Sequence, residues 1–236
     1  MVHYPTEYSD VHGTRTTIIE NDGHTLRMML RGIEFSGIDF HSFEAPAVSD
    51  PSQLESFPLF LNGLCSYTLE CTIPIMVVDG RNTLPAGLRV HVERGKPVEW
   101  SGRTVVHRKD GSVLEANQQI DREVLRLELL FQTRSFVTSG KNKCYSFEEQ
   151  LEELKDLLPK GIYLKICWNC AYSDYDPAGS GIFGDLACFR DARKQYLRVK
   201  SKRDMFEIWG AMTEHVQETH LCPEFKKRKP GTGYRG

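Results

Sequence analysis

Alternation of apolar and polar residues in the first 140 positions constrains the fold of this chain more than any other feature. Leu88, Val90 and Val92 alternate with Arg, His and Glu, and the segment from Leu125 to Phe131 repeats the pattern. A period of two buries one face of a strand and leaves the other in water. The N-terminal part is therefore predicted to be an antiparallel, β-sandwich-like structure.

Turn-forming dipeptides separate several of these strand-like segments. Asp22-Gly23, Asp79-Gly80 and Asp110-Gly111 each stand between two such segments, which is typical of β-hairpins. The stretch from Phe43 to Phe60 contains prolines and serines and is predicted to be a long loop.

The pattern changes near residue 141. Ser146 followed by Glu149 matches a capping box, and apolar residues then recur at helical spacing until Pro159. A helix is therefore predicted here, followed by a short strand over residues 162–166 that leads to Cys167.

Two further helices are predicted, one over residues 186–195 and one that begins at a cap formed by Ser201 and Asp204 and runs to about Gln217. Together with the preceding segments they indicate an α+β chain. We expect a β-rich domain over residues 1–140 and a smaller α/β module over residues 141–236.

The cysteines give the clearest indication of chemistry. Cys167 and Cys170 form a C-x2-C pair, Cys188 follows after 17 intervening residues, and Cys222 follows after 33 more. A C-x2-C turn can direct two thiolates toward one ion, and four thiolates suit tetrahedral zinc. We therefore expect a zinc ion bound by these four cysteines, with a structural role in the C-terminal module.

Other interpretations of the same residues stay open. His215 or His220 could replace one thiolate as a zinc ligand. An iron–sulfur cluster also takes four thiolates, although the C-x2-C-x2-C run is missing, and a C-x2-C pair can serve redox chemistry. The four cysteines could also pack as small apolar side chains without a metal.

The remaining cysteines, Cys65, Cys71 and Cys144, have no ligand spacing, and the first two are predicted to be core thiols. An odd total of seven, together with the lack of an apolar segment near the start, favours a reducing cytoplasm over a disulfide framework. No apolar run approaches the roughly 20 residues that a membrane helix needs. We therefore expect a cytoplasmic protein with no membrane association.

The loop between two of the predicted ligands contains further candidate chemistry. Residues 179–184 read G-x-G-x-x-G, but the parallel βαβ context of a dinucleotide site is missing, so we expect glycines with positive φ instead. Asp174 and Asp176 could bind a cation or act as bases, which makes a metal-dependent enzyme using loop 167–188 an alternative function. Turn-forming hydrogen bonds are the simpler role for these aspartates.

Charge is distributed unevenly along the chain. Residues 190–236 contain 12 lysines and arginines against 6 acidic residues, which leaves 18 against 26 in residues 1–189. The basic run Lys226–Lys229 could bind nucleic acid, which is a second alternative function, although a solvated terminus is the simpler explanation.

Several short motifs of the C-terminal third resemble those of a family of bacterial proteins of unknown function with a C-terminal four-cysteine motif. The motifs are Cys167-x-x-Cys170, Ser173-Asp174-Tyr175, Gly181-x-x-Gly184, Cys188-Phe189-Arg190, Gln217-Glu218-Thr219 and Cys222-Pro223-Glu224-Phe225. The resemblance implies no activity, and it implies only that these positions form one unit. The favoured function is therefore non-catalytic, namely interaction with a protein partner by a chain whose zinc is structural.

Overall fold

The computed structural model describes residues 1–47, 51–107, 112–140, 146–179 and 181–235, with Pro51 and His107 described by their backbone only. Cys144 and the predicted turn Asp110-Gly111 lie outside these residues. Strand accounts for 47% of the structure and helix for 14%, and the strands are mostly antiparallel, which confirms the predicted α+β class. No helix in the described part of the chain is long and apolar enough to cross a membrane.

The α-helices of the described chain all follow the twelfth strand. The strands before the first helix are β1 (Val2–Asp10), β2 (Gly13–Asn21), β3 (Leu26–Leu30), β4 (Ile33–Gly37), β5 (Leu59–Phe60), β6 (Gly63–Leu64), β7 (Tyr67–Asp79), β8 (Asn82–Arg94), β9 (Pro97–His107), β10 (Val113–Ile120), β11 (Glu123–Phe131) and β12 (Arg134–Val137). The elements after them are α1 (Phe147–Leu157), β13 (Ile162–Leu164), β14 (Ser173–Asp174), β15 (Leu186–Cys188), α2 (Arg193–Tyr196), α3 (Lys202–Ile208) and β16 (Glu214–Val216). Short 3₁₀ turns cover Pro51–Leu54, Cys167–Asn169 and Trp209–Ala211.

The largest sheet contains nine strands, in the order β12-β11-β8-β7-β1-β2-β3-β4, with β13 pairing beside β7. Smaller sheets are formed by β9 with β10, by β5 with β6, and by the three strands β14-β15-β16. The predicted turns at Asp22-Gly23 and Asp79-Gly80 do separate neighbouring strands of the large sheet, which confirms both hairpins.

The chain divides into two compact units, and the first contains residues 1–71 and 90–125. The alternation predicted for its strands is confirmed, since Val90 and Val92 are fully buried. Cys65 and Cys71 are also buried, as predicted for core thiols. The largest fully buried side chains of this unit are those of Tyr8, Ile19, Leu26, Met28, Phe35, Phe40 and Phe43.

The second unit contains residues 72–89, 126–140, 146–179 and 181–235 of the described chain. Its helix α1 begins as predicted, because the Ser146 hydroxyl accepts a hydrogen bond from the Glu149 N–H at 3.2 Å. Apolar residues at helical spacing in α1 are buried, among them Phe147, Leu151 and Leu154. A separate apolar cluster lies after residue 169 and includes Tyr172, Phe189, Tyr196, Val199 and Met205.

Two predicted helices of this unit are wrong in extent. The helix predicted from Ser201 to Gln217 has the expected capping box, but it ends at Ile208, and Glu214–Val216 forms strand β16. The helix predicted over residues 186–195 begins instead as strand β15, and only Arg193–Tyr196 is helical. Strand pairing between β15 and β16 supplies backbone hydrogen bonds that compete with the helical ones, and it buries Leu186 and Val216.

Candidate metal centre

The C-x2-C pair forms a tight turn in the second unit. Cys167 begins the 3₁₀ turn Cys167–Asn169, and the Cys170 N–H donates to the Cys167 carbonyl at 2.9 Å. The buried Ser173 hydroxyl donates to the same carbonyl at 2.6 Å. We call this turn the knuckle (residues 167–170); its backbone hydrogen bond joins the two cysteines of the pair.

A distant segment of the chain is hydrogen-bonded to the knuckle. The Cys167 N–H donates to the His220 carbonyl, and the Trp168 N–H donates to the Glu218 carbonyl, each at 3.0 Å. These bonds align residues 218–220 with the knuckle, so that Cys222 is brought next to it.

Three side chains at this junction could hold a metal ion. The ligand atoms of Cys167, His220 and Cys222 all lie within 4.8 Å of one another. Cys167 is buried, Cys222 is half-buried and His220 is exposed. Thiolate sulfur and imidazole nitrogen are the ligands that zinc prefers, so the donor set fits a zinc-type ion.

The other two predicted ligands, Cys170 and Cys188, lie outside that three-residue group but in the same neighbourhood. Burial raises the pKa of the Cys167 thiol, and the thiols of Cys170, Cys222 and Cys188 raise it further. Burial likewise raises the pKa of the Cys188 thiol. Repulsion among the thiolates contributes less to these raised pKa values than burial does. A bound divalent cation would offset that repulsion.

Of the two histidines left open by the sequence, the structure brings only His220 into the cluster of described donors. His215 lies on β16 opposite Ala187, and the centroid of its ring is 6.4 Å from that of Trp209. The sequence contains one signal that favours His220 over His215, namely the spacing His220-x-Cys222. Donors two residues apart in an extended segment can reach the same ion.

The two loop aspartates occupy different environments. Asp176 accepts a hydrogen bond from the Ala178 N–H at 2.7 Å, which is the turn-forming role expected from the sequence. Asp174 is buried in strand β14 and accepts a hydrogen bond from the Tyr196 hydroxyl at 2.8 Å. Neither carboxylate belongs to the three-residue cluster of donors in the described chain.

Two of the three glycines of the G-x-G-x-x-G run adopt the expected positive φ, and Gly179 does not. Gly181 has a φ of 65° and Gly184 a φ of 93°. The Gly184 N–H donates to the carboxylate of Glu218 at 2.8 Å, and the Tyr175 hydroxyl donates to it at 2.9 Å. Burial raises the pKa of Glu218 to about 8, against the lowering effect of these hydrogen bonds. The loop therefore binds a carboxylate of its own chain.

The backbone of the basic run near the end of the chain is hydrogen-bonded to the knuckle and to the residue that follows it. The Ala171 N–H donates to the Lys226 carbonyl at 2.6 Å, and the Arg228 N–H donates to the Asn169 carbonyl at 3.0 Å. The Arg228 guanidinium also donates to the Tyr196 hydroxyl at 3.0 Å. The side chains of Lys226, Lys227 and Lys229 are exposed, as expected of a solvated run, and no local pattern in the sequence indicated the backbone contacts with the knuckle.

Comparison with known proteins adds a family. No curated protein and no solved structure matches the chain. One family model matches residues 2–173, which include Cys167 and Cys170 but end before Cys188 and Cys222. The matched segment covers well over half of the chain, and the protein therefore belongs to the family of unknown function DUF6304.

Proposed function

We propose that the protein binds one zinc ion through the thiolates of Cys167, Cys170, Cys188 and Cys222. The observation that carries the proposal is the junction of the knuckle with residues 218–222, where Cys167, His220 and Cys222 already lie within 4.8 Å of one another. Cys170 lies in the same knuckle as Cys167, and Cys188 pairs across the strands with Ser173, whose hydroxyl donates to the Cys167 carbonyl. Movement of these two thiols toward Cys167 and Cys222 would complete a tetrahedral site.

In this proposal the zinc has a structural role in the module that we assign to residues 141–236. The elements near the site are short, since β14 has two residues, β15 and β16 have three each, and α2 has four. One ion would cross-link the knuckle, β15 and the segment that contains Cys222. Such cross-links contribute folding free energy where secondary structure is sparse.

We further propose that the zinc-bearing module binds a protein partner in the cytoplasm. Several large apolar side chains of this region are exposed, among them those of Leu197, Phe206 and Leu221. Exposed apolar side chains in the same module as the proposed metal site support a docking role. The described cysteines are free thiols, which supports a reducing compartment.

The test is metal analysis of the purified protein combined with the substitution Cys188→Ser. We expect about one zinc per chain in the parent protein, and a loss of most zinc with a lower unfolding temperature in the variant. Cys65→Ala is the matched control, because Cys65 is buried far along the chain from the predicted ligands and should leave the zinc content unchanged. A folded parent protein purified without metal under zinc-replete conditions would contradict the proposal.

A metal-dependent enzyme is the second candidate, and one observation favours it. The group of mutually close donors has three members, of which His220 is exposed, and three protein ligands with an open position are typical of catalytic zinc. Cobalt-substituted protein separates the two candidates. A visible spectrum that is insensitive to added azide supports a closed structural site, whereas a spectral shift supports an open one.

Nucleic-acid binding is the third candidate, and it is supported by exposed cations that have no acidic partner within ion-pair distance among the described residues. These are Lys194, Arg198, Lys200, Lys202, Lys226, Lys227 and Lys229. Replacement of Lys226, Lys227 and Lys229 by Gln should then weaken binding to a DNA duplex and reduce its salt dependence. The control replaces two exposed lysines elsewhere, Lys96 and Lys160, and should leave binding unchanged.

A further inference from the structure

The side chain of Arg235 lies in a small site made of two aromatic rings and two carboxylates. Its guanidinium carbon is 5.5 Å from the centroid of the Trp168 ring and 5.1 Å from that of Tyr175. Its nitrogens are 3.7 Å from the Glu148 carboxylate and 3.9 Å from the Asp174 carboxylate. We call the four surrounding residues, Glu148, Trp168, Asp174 and Tyr175, the arginine pocket.

The composition of the pocket suits a guanidinium better than an ammonium. A guanidinium is planar and weakly hydrated, so it packs against aromatic faces while its edge donates to acceptors in the same plane. The Arg235 side chain does both, since it contacts the two rings and donates from Nη2 to the Trp168 carbonyl at 2.5 Å. It is 12% exposed, and its charge is therefore largely removed from water.

The walls of the pocket are held by contacts that do not involve Arg235. The Tyr196 hydroxyl donates to the Asp174 carboxylate at 2.8 Å, and the Tyr175 hydroxyl donates to Glu218 at 2.9 Å. Glu148 is fixed in the first turn of α1, where its N–H donates to the Gly181 carbonyl at 3.1 Å. The pocket is therefore expected to keep its shape when its occupant leaves.

Arg235 leaves some of the hydrogen-bonding groups of the arginine pocket without close partners. Charge-assisted hydrogen bonds between guanidinium and carboxylate are about 2.7–2.9 Å long, and both ion pairs of Arg235 are longer than that. Two buried donors at the pocket, Arg235 Nη1 and Trp168 Nε1, have no hydrogen-bond acceptor in the part of the chain that the structure describes. A guanidinium free to adjust its position could bind both carboxylates at shorter distances.

The segment that carries Arg235 is held by individual side-chain hydrogen bonds, from Lys200 to the Gly231 carbonyl at 2.7 Å and from Arg228 to the Thr232 carbonyl at 3.3 Å. Gly231 and Gly233 both have positive φ, of 75° and 74°, and no helix or strand is assigned in the described residues after Val216. Removal of Arg235 would therefore break no regular secondary structure. A tethered occupant of this kind acts at an effective concentration in the millimolar range, which is enough to mask a site of moderate affinity.

We propose that the arginine pocket is a binding site for an arginine side chain of another polypeptide, and that Arg235 fills it in competition with that partner. The partner is a polypeptide because the Arg235 backbone N–H also donates to the Asp174 carboxylate, at 3.2 Å, so that a peptide bond next to the arginine contributes to recognition. Trp168 belongs to the knuckle, so zinc content and peptide binding are measured separately on the same protein, which distinguishes failure of this proposal from failure of the proposed zinc site.

The test uses the full chain with Arg235→Ala and the blocked peptide acetyl-Gly-Tyr-Arg-Gly-amide, measured by isothermal titration calorimetry. We expect binding of one peptide per chain, at least tenfold tighter than to the parent protein. The same peptide with Lys in place of Arg, and free arginine, should each bind at least tenfold more weakly. Glu148→Gln added to Arg235→Ala should reduce the affinity for the arginine peptide by at least tenfold.

Several outcomes would overturn the proposal. A folded Arg235→Ala protein, with the zinc content and circular dichroism of the parent, that does not bind the arginine peptide at millimolar concentration excludes the site. Equal binding to parent and variant excludes competition by Arg235, and equal binding of free arginine excludes recognition of a polypeptide. If Arg235→Ala does not fold, Arg235→Lys replaces it as the host, and failure of both to fold would show that Arg235 is a structural ion-pair partner.

Discussion

The N–H of Cys167 donates to the carbonyl oxygen of His220 at 3.0 Å, although 52 residues separate the two along the chain. A second backbone hydrogen bond between the same two segments, from the Trp168 N–H to the Glu218 carbonyl, has the same length. The donors of the candidate metal centre are therefore aligned by backbone hydrogen bonds, and a metal ion would bind to an arrangement that is already partly formed.

Removal of the His220 imidazole distinguishes the two donor sets. If four thiolates bind the zinc, His220→Ala should change zinc affinity by less than about threefold, whereas Cys222→Ser should lower it at least 100-fold. His215→Ala is the matched control, since His215 lies on β16 outside the cluster. Competition with a chromogenic chelator measures all three. An equal loss of zinc affinity in His220→Ala and Cys222→Ser would show that the ligands are three cysteines and one histidine, and not four cysteines.

Addition of a methyl group at Gly181 should destabilise the second unit by more than backbone strain alone. Gly181 has a φ of 65°, and a Cβ there would lie 2.7 Å from a carboxylate oxygen of Glu148 and 3.0 Å from its Cβ. We expect Gly181→Ala to cost about 2–3 kcal/mol in the free energy of unfolding. Gly161→Ala supplies the control, because Gly161 has a φ of 95° but open space around it, and it should cost about 1 kcal/mol. Urea titration measures both costs, and equal losses would contradict the clash with Glu148.

Loss of the Tyr196 hydroxyl should weaken the polar network that holds Asp174. Tyr196 is fully buried, and its hydroxyl donates to Asp174 and accepts from Arg228. Tyr196→Phe leaves a buried carboxylate without one of its donors, which should cost about 2 kcal/mol in the free energy of unfolding. Tyr163→Phe should be nearly neutral, because the Tyr163 hydroxyl has no hydrogen-bond partner in the described chain and its ring contacts the Lys227 ammonium at 3.9 Å. Thermal unfolding followed by circular dichroism compares the two, and a neutral Tyr196→Phe would show that the network contributes little.

The first unit should lose stability in mild acid through His41. Burial lowers the pKa of His41 to about 4, with the Asp39 carboxylate opposing the shift and the Arg94 guanidinium adding to it. An unfolded histidine has a pKa near 6.5, so the unfolded chain binds a proton between about pH 6.5 and 4 that the folded chain does not. This contribution is therefore complete above pH 6.5 and is lost as the pH falls toward 4, by at most about 3 kcal/mol.

The substitution His41→Gln should flatten that part of the stability profile. Urea titrations at pH 7 and pH 5 measure the difference in unfolding free energy, which should be smaller in the variant than in the parent. His24→Gln is the control, since His24 is exposed and should leave the profile unchanged. An unaltered profile in His41→Gln would show that other groups cause the acid sensitivity.

The sequence by itself determined the features that depend on neighbouring residues. The buried alternation that includes Val90 and Val92, the cap at Ser146 and the capping box at Ser201 were all predictable, because their contacts lie within a strand period or one helical turn. The sequence also indicated that Cys167 and Cys222 lie close together. Zinc prefers cysteine ligands, so a set of four spaced cysteines predicts one shared site even when the fold is unknown.

Only the tertiary structure decided which secondary structure and which contacts the residues after 184 form. The helix expected to reach Gln217 ends at Ile208 because Glu214–Val216 pairs with a strand more than 25 residues earlier, and helical periodicity does not record such a partner. For the same reason, the sequence did not show that His220, and not His215, lies beside Cys167 and Cys222. It also did not show that Arg235 lies between Trp168 and Tyr175. Each of these contacts joins residues that are distant along the chain, and their energies depend on burial and on hydrogen bonds that exist only in the folded protein.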